Sequence, residues 1–429
     1  MKPHVFLAVA TALSASFSRA AETSKASDSA PPIPRFSTNY MDRTVDPAKD
    51  FYHYADGNWL KNNPVPPDKS RWASFSELAE RNWYLIHEIL EHTLTDTTSA
   101  KHSPQREVGD FFASAMDTNR IEQLGLKPIA EDLKRVEGIQ STKDLFAVLA
   151  DFHRRGIGGI FGTGFDPDEK NSAIYAYHLG QGGLSLPDRD YYLKDRFAEI
   201  RTKYRAHLEK MFGLLGDKPE QAKTNADIVI NLETDLAKAS RSRVELRDPD
   251  KNYNKFEVAD FAAKTPAIQW DVYFSKSGLT TSKTAGNGLT FLSYEIVGQP
   301  EFFEAVNKLL RERPLNDWKV YLRWHLLHSS APFLNREVEQ ENFAFFGKVL
   351  SGQEEQEPRW KRAAKVIDGT IGEALGELYV QKYFPPEAKK RMNDLVENLK
   401  IVFRDHLTHV QWMTQPTKEK ALAKFARFT

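Results

Sequence analysis

The amino-acid sequence predicts a mostly α-helical protein with a few short β-strands. Many stretches carry apolar residues every three or four positions, the spacing of an amphipathic helix, and the clearest one follows Pro385-Pro386. One glycine-rich stretch, residues 156–177, ends instead in alternating apolar residues, which is typical of a β-hairpin. With 429 residues, of which 41% are hydrophobic and 28% charged, the chain is long enough for two or three domains with sizeable cores.

The N-terminus has the pattern of a secretory signal peptide. Lys2 precedes an apolar run over residues 5–17, and Ser18-Arg19-Ala20 supplies a small-x-small cleavage pattern. A membrane anchor is the alternative, but the run is shorter than the ~20 apolar residues of a spanning helix. We therefore predict a signal peptide at residues 1–20, followed at residues 21–39 by a flexible linker rich in Ser, Ala, Lys and Pro.

Composition narrows the classes of function. The 59 basic and 59 acidic residues cancel, so no overall field attracts nucleic acid or an anionic membrane. The chain has no cysteine, which excludes disulfides and lipid attachment through a thiol. The stability of an exported protein with this sequence must therefore come from its cores.

The first folded stretch, residues 45–82, is dense in aromatic, charged and proline residues. Asp46-Pro47 is expected to begin a short helix, and Asp56-Gly57 to end it, because glycine tolerates positive φ. The prolines within residues 64–67 then require an extended segment.

More helices are predicted along the rest of the chain. Ser70 or Ser74 is expected to cap one that continues to Leu90. Helical spacing predicts others at residues 104–116, 133–136, 145–152, 197–215, 226–239, 302–310, 315–327, 337–350 and 392–410, with a last one starting at Pro416. The helix over residues 392–410 is amphipathic, and we expect it to pack one apolar stripe into a core.

The glycine-rich stretch predicts two strands on one edge of a sheet, with a turn at Asp166-Pro167-Asp168. Its glycines do not form GxGxxG, and no Walker lysine follows, so a nucleotide-binding loop is disfavoured. A polar loop at residues 280–288 is expected to be mobile.

Three ordered motif regions carry a resemblance to a known family. They are DPAKDFYHYADGNWL at 46–60 with SRWASFSEL at 70–78, then GLSLPDRDYY at 183–192, then FAFFGK at 343–348 with PRWKR at 358–362. Together they resemble the neprilysin and endothelin-converting-enzyme family of zinc metallopeptidases. Animal members have cysteines where Ala48 and Asp56 stand here, so we expect a bacterial protein that is periplasmic or extracellular.

The resemblance implies that residues 40–429 form a multi-helix neprilysin-like N-terminal region: a helical cap plus the N-terminal part of a catalytic domain, ending within an element. It also implies a zinc metalloendopeptidase that hydrolyses short peptides. The sequence contains no HExxH, since His87-Glu88 is followed by His92, five positions after the first histidine and on another helix face. We therefore expect no catalytic residue and no bound zinc in this chain, and a separate C-terminal catalytic half.

Two other histidine pairs, His325 with His328 and His406 with His409, do share a helix face. Each lacks a third ligand and a general base, so we interpret both pairs as partly exposed histidines on amphipathic helices.

The resemblance assigns substrate binding to Arg71 and Phe75. Arg71 matches the arginine that pairs with the C-terminal carboxylate of a peptide substrate, and Phe75 would line the adjacent apolar subsite. A local ion pair of Arg71 with Asp68 or Glu77 is the alternative. The expected partners are peptide substrates and the C-terminal half, with no nucleic acid and no stable membrane span; the alternative function is a non-catalytic peptide-binding protein that retains the protease cap.

Overall fold

The computed structural model describes residues 30–280 and 290–428, so the predicted signal peptide and nearly all of the 280–288 loop lie outside the described residues. The described residues form eighteen α-helices and six β-strands, which confirms the mostly α-helical fold class. None of these helices is long and apolar enough to cross a membrane.

The helices are α1 (Phe51–Asn62), α2 (Ser74–Thr95), α3 (Pro104–Met116), α4 (Thr118–Leu124), α5 (Ala130–Glu137), α6 (Thr142–Arg154), α7 (Asp190–Leu193), α8 (Ala198–Leu214), α9 (Pro219–Ala239), α10 (Pro249–Asn252), α11 (Val258–Lys264), α12 (Trp270–Lys276), α13 (Pro300–Glu312), α14 (Leu315–Ser330), α15 (Arg336–Asn342), α16 (Arg359–Tyr383), α17 (Pro386–His409) and α18 (Gln415–Phe425). The strands are β1 (Phe161–Asp168), β2 (Asn171–Gln181), β3 (Lys255–Glu257), β4 (Leu279–Thr280), β5 (Thr290–Phe291) and β6 (Tyr294–Val297).

The chain forms two compact units, each assembled from separate stretches. Within the described residues, unit 1 contains residues 30–64, Trp72–Phe112 and residues 360–428. Unit 2 contains Val65–Arg71 and Ala113–Arg359.

Helix α1 of unit 1 continues through the glycine at which the sequence predicted its end. Asp50 caps the helix by accepting the backbone N–H of His53 at 3.0 Å. Gly57 is buried inside α1, where an added Cβ would lie 2.8 Å from the Cβ of Asp42. Lys61 donates to Asp42 at 2.6 Å and, as the largest cause, lowers its pKa to about 2. The predicted helix end is therefore wrong. Gly57 is needed inside α1 because Asp42 packs directly against it.

Helix α2 of unit 1 begins after Ala73, so the predicted serine cap is wrong. The hydroxyl of Ser76 accepts the backbone N–H of Ala73 at 3.2 Å and fixes the first turn. Further along, the ring of His87 stacks on Trp360 of α16, with ring centroids 4.0 Å apart. The stacking of His87 on Trp360 joins α2 to α16 inside unit 1.

Helix α17 of unit 1 does not bury its apolar stripe within the described residues. Its apolar residues on one face are 43–60% exposed: Met392, Leu395, Val396, Leu399, Val402 and Phe403. Leu407, near the helix end, is buried, and Phe403 contacts Phe425 of α18 with ring centroids 5.3 Å apart. The predicted burial is wrong here, because amphipathic spacing specifies a face and not the partner that covers it.

Unit 2 contains a four-stranded sheet ordered β1-β2-β6-β3, and a two-stranded sheet of β4 and β5. The predicted hairpin is present as antiparallel β1 and β2, but β1 continues through Pro167 to Asp168, so the turn lies later than predicted. Asp168 is buried and accepts hydrogen bonds from the hydroxyls of Tyr253 at 3.0 Å and Tyr294 at 2.9 Å. These bonds hold the end of the hairpin against the chain around β3 and β6.

A continuous hydrophobic core fills unit 2 between Ile129 and Phe345. After α15 the chain is π-helical over Phe343–Leu350, whereas the sequence predicts one continuous helix over residues 337–350. Gly347 lies directly against the ring of Phe343, so a side chain at position 347 would not fit. This contact explains the glycine of the FAFFGK motif.

Candidate functional site

Arg71, the predicted carboxylate-binding residue, follows a segment that is fixed within unit 2. Gln353 donates to the backbone carbonyl of Asp68 at 3.0 Å. Lys69 forms ion pairs with Asp68, at 3.2 Å, and with Glu357. The chain immediately before Arg71 is therefore held by both backbone and ionic contacts.

The side chain of Arg71 is exposed. Asp68, which the sequence offered as its local partner, forms its ion pair with Lys69. An exposed guanidinium offers a planar set of N–H donors that suits bidentate binding of a carboxylate. The geometry of unit 2 is thus compatible with the predicted role, which stays a prediction.

Phe75, the second predicted residue, belongs to unit 1 and lies in the first turn of α2. Its ring is 84% exposed, although phenylalanine is among the residues most often buried. An exposed aromatic ring on a fixed helix turn can serve as one wall of an apolar subsite. This role too stays a prediction.

The described residues contain no cluster of three or more His, Asp or Glu side chains arranged to hold a metal ion. The Nε2 atom of His87 lies 3.2 Å from a carboxylate oxygen of Glu91, and the side chain is only 28% exposed because it packs on Trp360. His92 on the same helix is exposed. His87 is thus partly buried against α16, whereas His92 faces solvent, and the two rings do not share a site.

His325 is buried in the core of unit 2 and not partly exposed as predicted, whereas His328 is partly exposed, as predicted. The ring of His328 stacks on Trp324, with centroids 5.2 Å apart, and burial lowers its pKa to about 3. The Nε2 atom of His325 lies 3.5 Å from a carboxylate oxygen of Glu233. The pair His406 and His409 is exposed near the end of α17, as predicted.

A buried carboxylate that the sequence did not single out organises the GLSLPDRDYY region. Glu233 of α9 is fully buried and accepts hydrogen bonds from Ser185 at 2.6 Å, Tyr192 at 2.8 Å and Tyr204 at 3.0 Å. Trp324 donates to the hydroxyl of Ser185 at 2.8 Å. Burial, and then the charge of Glu233, raise the pKa of Tyr192 and Tyr204 well above its ordinary value, so both stay protonated donors. The motif is thus anchored to the core of unit 2.

A second buried carboxylate, Glu295 of β6, has no partner among the described residues. It is 1% exposed, and neither carboxylate oxygen has a hydrogen-bond donor. It lies beside Tyr177 of β2 in the parallel register. Burial raises the pKa of Glu295 to about 8. No sequence signal separates this glutamate from the many exposed ones.

Comparison with known proteins agrees with the motifs. A model described as Peptidase family M13 matches residues 47–429. Human endothelin-converting enzyme 1 is 28% identical over 394 residues, which cover 90% of this chain and 50% of that protein. An endothelin-converting enzyme homolog of Locusta migratoria is 28% identical over 399 residues, covering 90% of this chain and 54% of that protein.

A solved structure of the Mycobacterium tuberculosis zinc metalloprotease Zmp1 with an inhibitor has the same fold. Its TM-score is 0.83 at 29% identity, over 92% of this chain and 59% of that chain. The chain thus spans about half the length of the curated relatives that it matches. Because the family match extends over most of the sequence, the resemblance seen in the motifs is confirmed, and this chain belongs to peptidase family M13, the neprilysin-like family.

Proposed function

We propose that this chain is the N-terminal part of an exported bacterial zinc metalloendopeptidase that hydrolyses short peptides. The observation that carries the proposal is the family match over residues 47–429, together with the likeness to a zinc metalloprotease of known structure. The curated relatives are about twice as long as the matched region. We assign the catalytic zinc and the HExxH base to a C-terminal half of the kind that those relatives have.

The exposed stripe of α17 supports a second half that packs on unit 1. Six apolar side chains on one face of this helix are 43–60% exposed, from Met392 to Phe403. A contiguous apolar patch of this kind on a soluble protein marks an interaction surface. In this proposal the C-terminal half covers the stripe and completes the domain to which unit 1 belongs.

The described residues do not fit a zinc site, so no hydrolytic step is assigned to them. Their part in the reaction is to bind and orient the peptide. Arg71 holds the C-terminal carboxylate of the substrate through paired N–H donors. Phe75, which belongs to unit 1, contacts an apolar side chain of the substrate.

Zinc content and peptidase activity, measured together, test the proposal. They are measured on this chain alone and on the product of the gene extended by the DNA that follows its last codon. We expect about one zinc per molecule and chelator-sensitive cleavage in the extended product. A stop codon directly after Thr429, with neither zinc nor activity, would contradict the protease and favour a peptide-binding protein that retains the cap.

The role of Arg71 is tested in the active, extended protein. Arg71→Ala should lower kcat/KM for peptides with a free C-terminal carboxylate by about tenfold to a hundredfold, and far less for their C-terminal amides. Arg71→Lys is the matched control, because it keeps the charge and loses the planar fork. Equal losses on acid and amide substrates would reject the assigned role.

A further inference from the structure

A groove runs along the outer face of α16 in unit 1. One cavity of about 300 Å³ is bordered by Ile86 of α2 and by Leu375 and Val380 of α16. A shallower cavity of about 670 Å³ adjoins it and shares Gly376 and Val380. The two cavities form one apolar-floored depression in which α16 supplies most of the lining.

Every charged residue that lines this groove is acidic: Asp368, Glu373 and Glu377. All three are exposed, and within the described residues none of them forms an ion pair, although Glu377 accepts a hydrogen bond from Gln381 at 3.2 Å. The neighbouring cation Lys382 is already paired with Glu88 at 2.7 Å. The groove therefore combines an apolar floor with a negative rim whose carboxylates have no ion-pair partner in the part of the chain that the structure describes.

The backbone of α16 is irregular along the groove and carries a glycine within it. The helix is interrupted at Ile371, whose φ of −125° and ψ of 37° are not helical. Further along, an added Cβ at Gly376 would have no atom within 4 Å, although this glycine borders both cavities. A small residue at this place allows another helix to approach α16 closely.

We infer that the groove is the docking site for a helix that carries apolar residues on one face and Lys or Arg on both flanks, contributed by the C-terminal half. The inference rests on the proposed function, because it requires that half. Charge complementarity selects a basic helix, since the rim carboxylates, which have no cationic partner within the described residues, each gain one on binding. The groove also lies in unit 1, the unit whose apolar stripe on α17 is exposed.

A pair of synthetic peptides tests the inference on this chain. The first is an amphipathic helix of about 18 residues with leucines on one face and arginines on both flanks; the second has glutamates in place of the arginines. We expect fluorescence anisotropy to show binding of the arginine peptide at least about tenfold tighter than binding of the glutamate peptide. Equal binding of the two peptides, or no binding of either, would overturn the inference.

Variants locate the binding. Gly376→Leu fills the groove and should weaken binding of the arginine peptide about tenfold, whereas Gly213→Leu, at an open helical position of unit 2, should leave binding unchanged. Glu373→Lys with Glu377→Lys should reverse the preference between the peptides. If the affinity of the arginine peptide is the same for these variants as for the parent, the peptide binds elsewhere and the groove is not the docking site.

The longer protein identifies the occupant. Its own helix should exclude the arginine peptide, so undiminished peptide binding to the longer protein would overturn the assignment to the C-terminal half. An active, zinc-containing longer protein combined with no peptide binding to this chain would reject the groove and leave the proposed function standing.

Discussion

Units 1 and 2 bury their apolar residues to very different degrees. The core of unit 2 is continuous, and its fully buried side chains include Trp318, Trp324 and Tyr273. Unit 1 leaves Phe51, Phe75 and the stripe of α17 exposed. Since apolar burial is the main favourable term in folding, we expect most of the free energy of unfolding to come from unit 2, whose core is the larger among the described residues.

The largest expected difference between the units concerns buried charge. Glu233→Leu in unit 2 leaves the hydroxyls of Ser185, Tyr192 and Tyr204 without their acceptor, so it should lower the free energy of unfolding by about 3 to 5 kcal/mol. Glu88→Leu in unit 1 removes an exposed carboxylate and should cost less than about 1 kcal/mol. Urea unfolding of both variants measures this difference. Similar losses in the free energy of unfolding would contradict the expected difference between the units.

Leucine truncations sharpen the same comparison. Leu208→Ala removes a fully buried side chain of unit 2 and should cost about 2 to 4 kcal/mol. Leu399→Ala removes a side chain that is 60% exposed on α17 and should change the free energy of unfolding by less than about 0.5 kcal/mol. A large loss for Leu399→Ala, measured by urea unfolding of this chain, would show that unit 1 buries its stripe.

The units also differ in how stability depends on pH. The pKa of Glu295 in unit 2 is raised to about 8, so the folded state holds a proton that the unfolded state releases above its ordinary pKa of 4.5. Stability should therefore fall as the pH rises from about 5 to 8. Glu295→Gln removes this loss and should stabilise the protein by about 2 kcal/mol at pH 8.5, with little effect at pH 4.

Thermal unfolding of the Glu295→Gln variant and of the parent across this pH range measures the effect. In unit 1 the pKa of Asp42 is shifted the other way, to about 2, so the stability that it contributes is lost only as the pH falls through that value. If Glu295→Gln raised the stability equally at every pH, Glu295 would not be protonated in the folded state as we expect.

The smallest expected difference between the units is the effect on stability of replacing a helical glycine by alanine. Gly57→Ala in unit 1 places a Cβ against Asp42 and should destabilise the protein by about 1 kcal/mol. Gly213→Ala in unit 2 meets no atom within 4 Å and should stabilise it by about 0.5 kcal/mol, as helix propensity alone predicts. Differential scanning calorimetry resolves shifts of opposite sign, and a stabilising Gly57→Ala would mean that Asp42 does not approach α1.

The sequence predicted those elements whose signal is local. Helical spacing located α3, α6, α8, α13 and α17. Helix α16 was not predicted, because Gly369, Gly372 and Gly376 interrupt its apolar pattern and a kink divides it at Ile371. The end of α1 was misplaced for a related reason: Gly57 is required by a tertiary contact with Asp42 that no local pattern contains.

For the candidate site, sequence motifs supplied Arg71 and Phe75, and the structure adds their exposure. Spacing could not show that His325 is buried, because the apolar pattern of a helix does not specify which other elements cover that helix. The role of Glu233 could not be predicted from the sequence either. Its three hydroxyl donors come from α8 and from the GLSLPDRDYY stretch, and they meet only in the folded core.

The parallel pairing of β2 with β6 also constrains the order of folding. Tyr177 pairs with Glu295, and the intervening chain contains helices α8 and α9, so the third strand of the sheet is synthesised long after the hairpin. Pairings between distant parts of a chain close slowly, because the loop entropy is lost before the contacts form. The β1–β2 hairpin should therefore form early, while resistance of unit 2 to proteases arises only when β6 has left the ribosome.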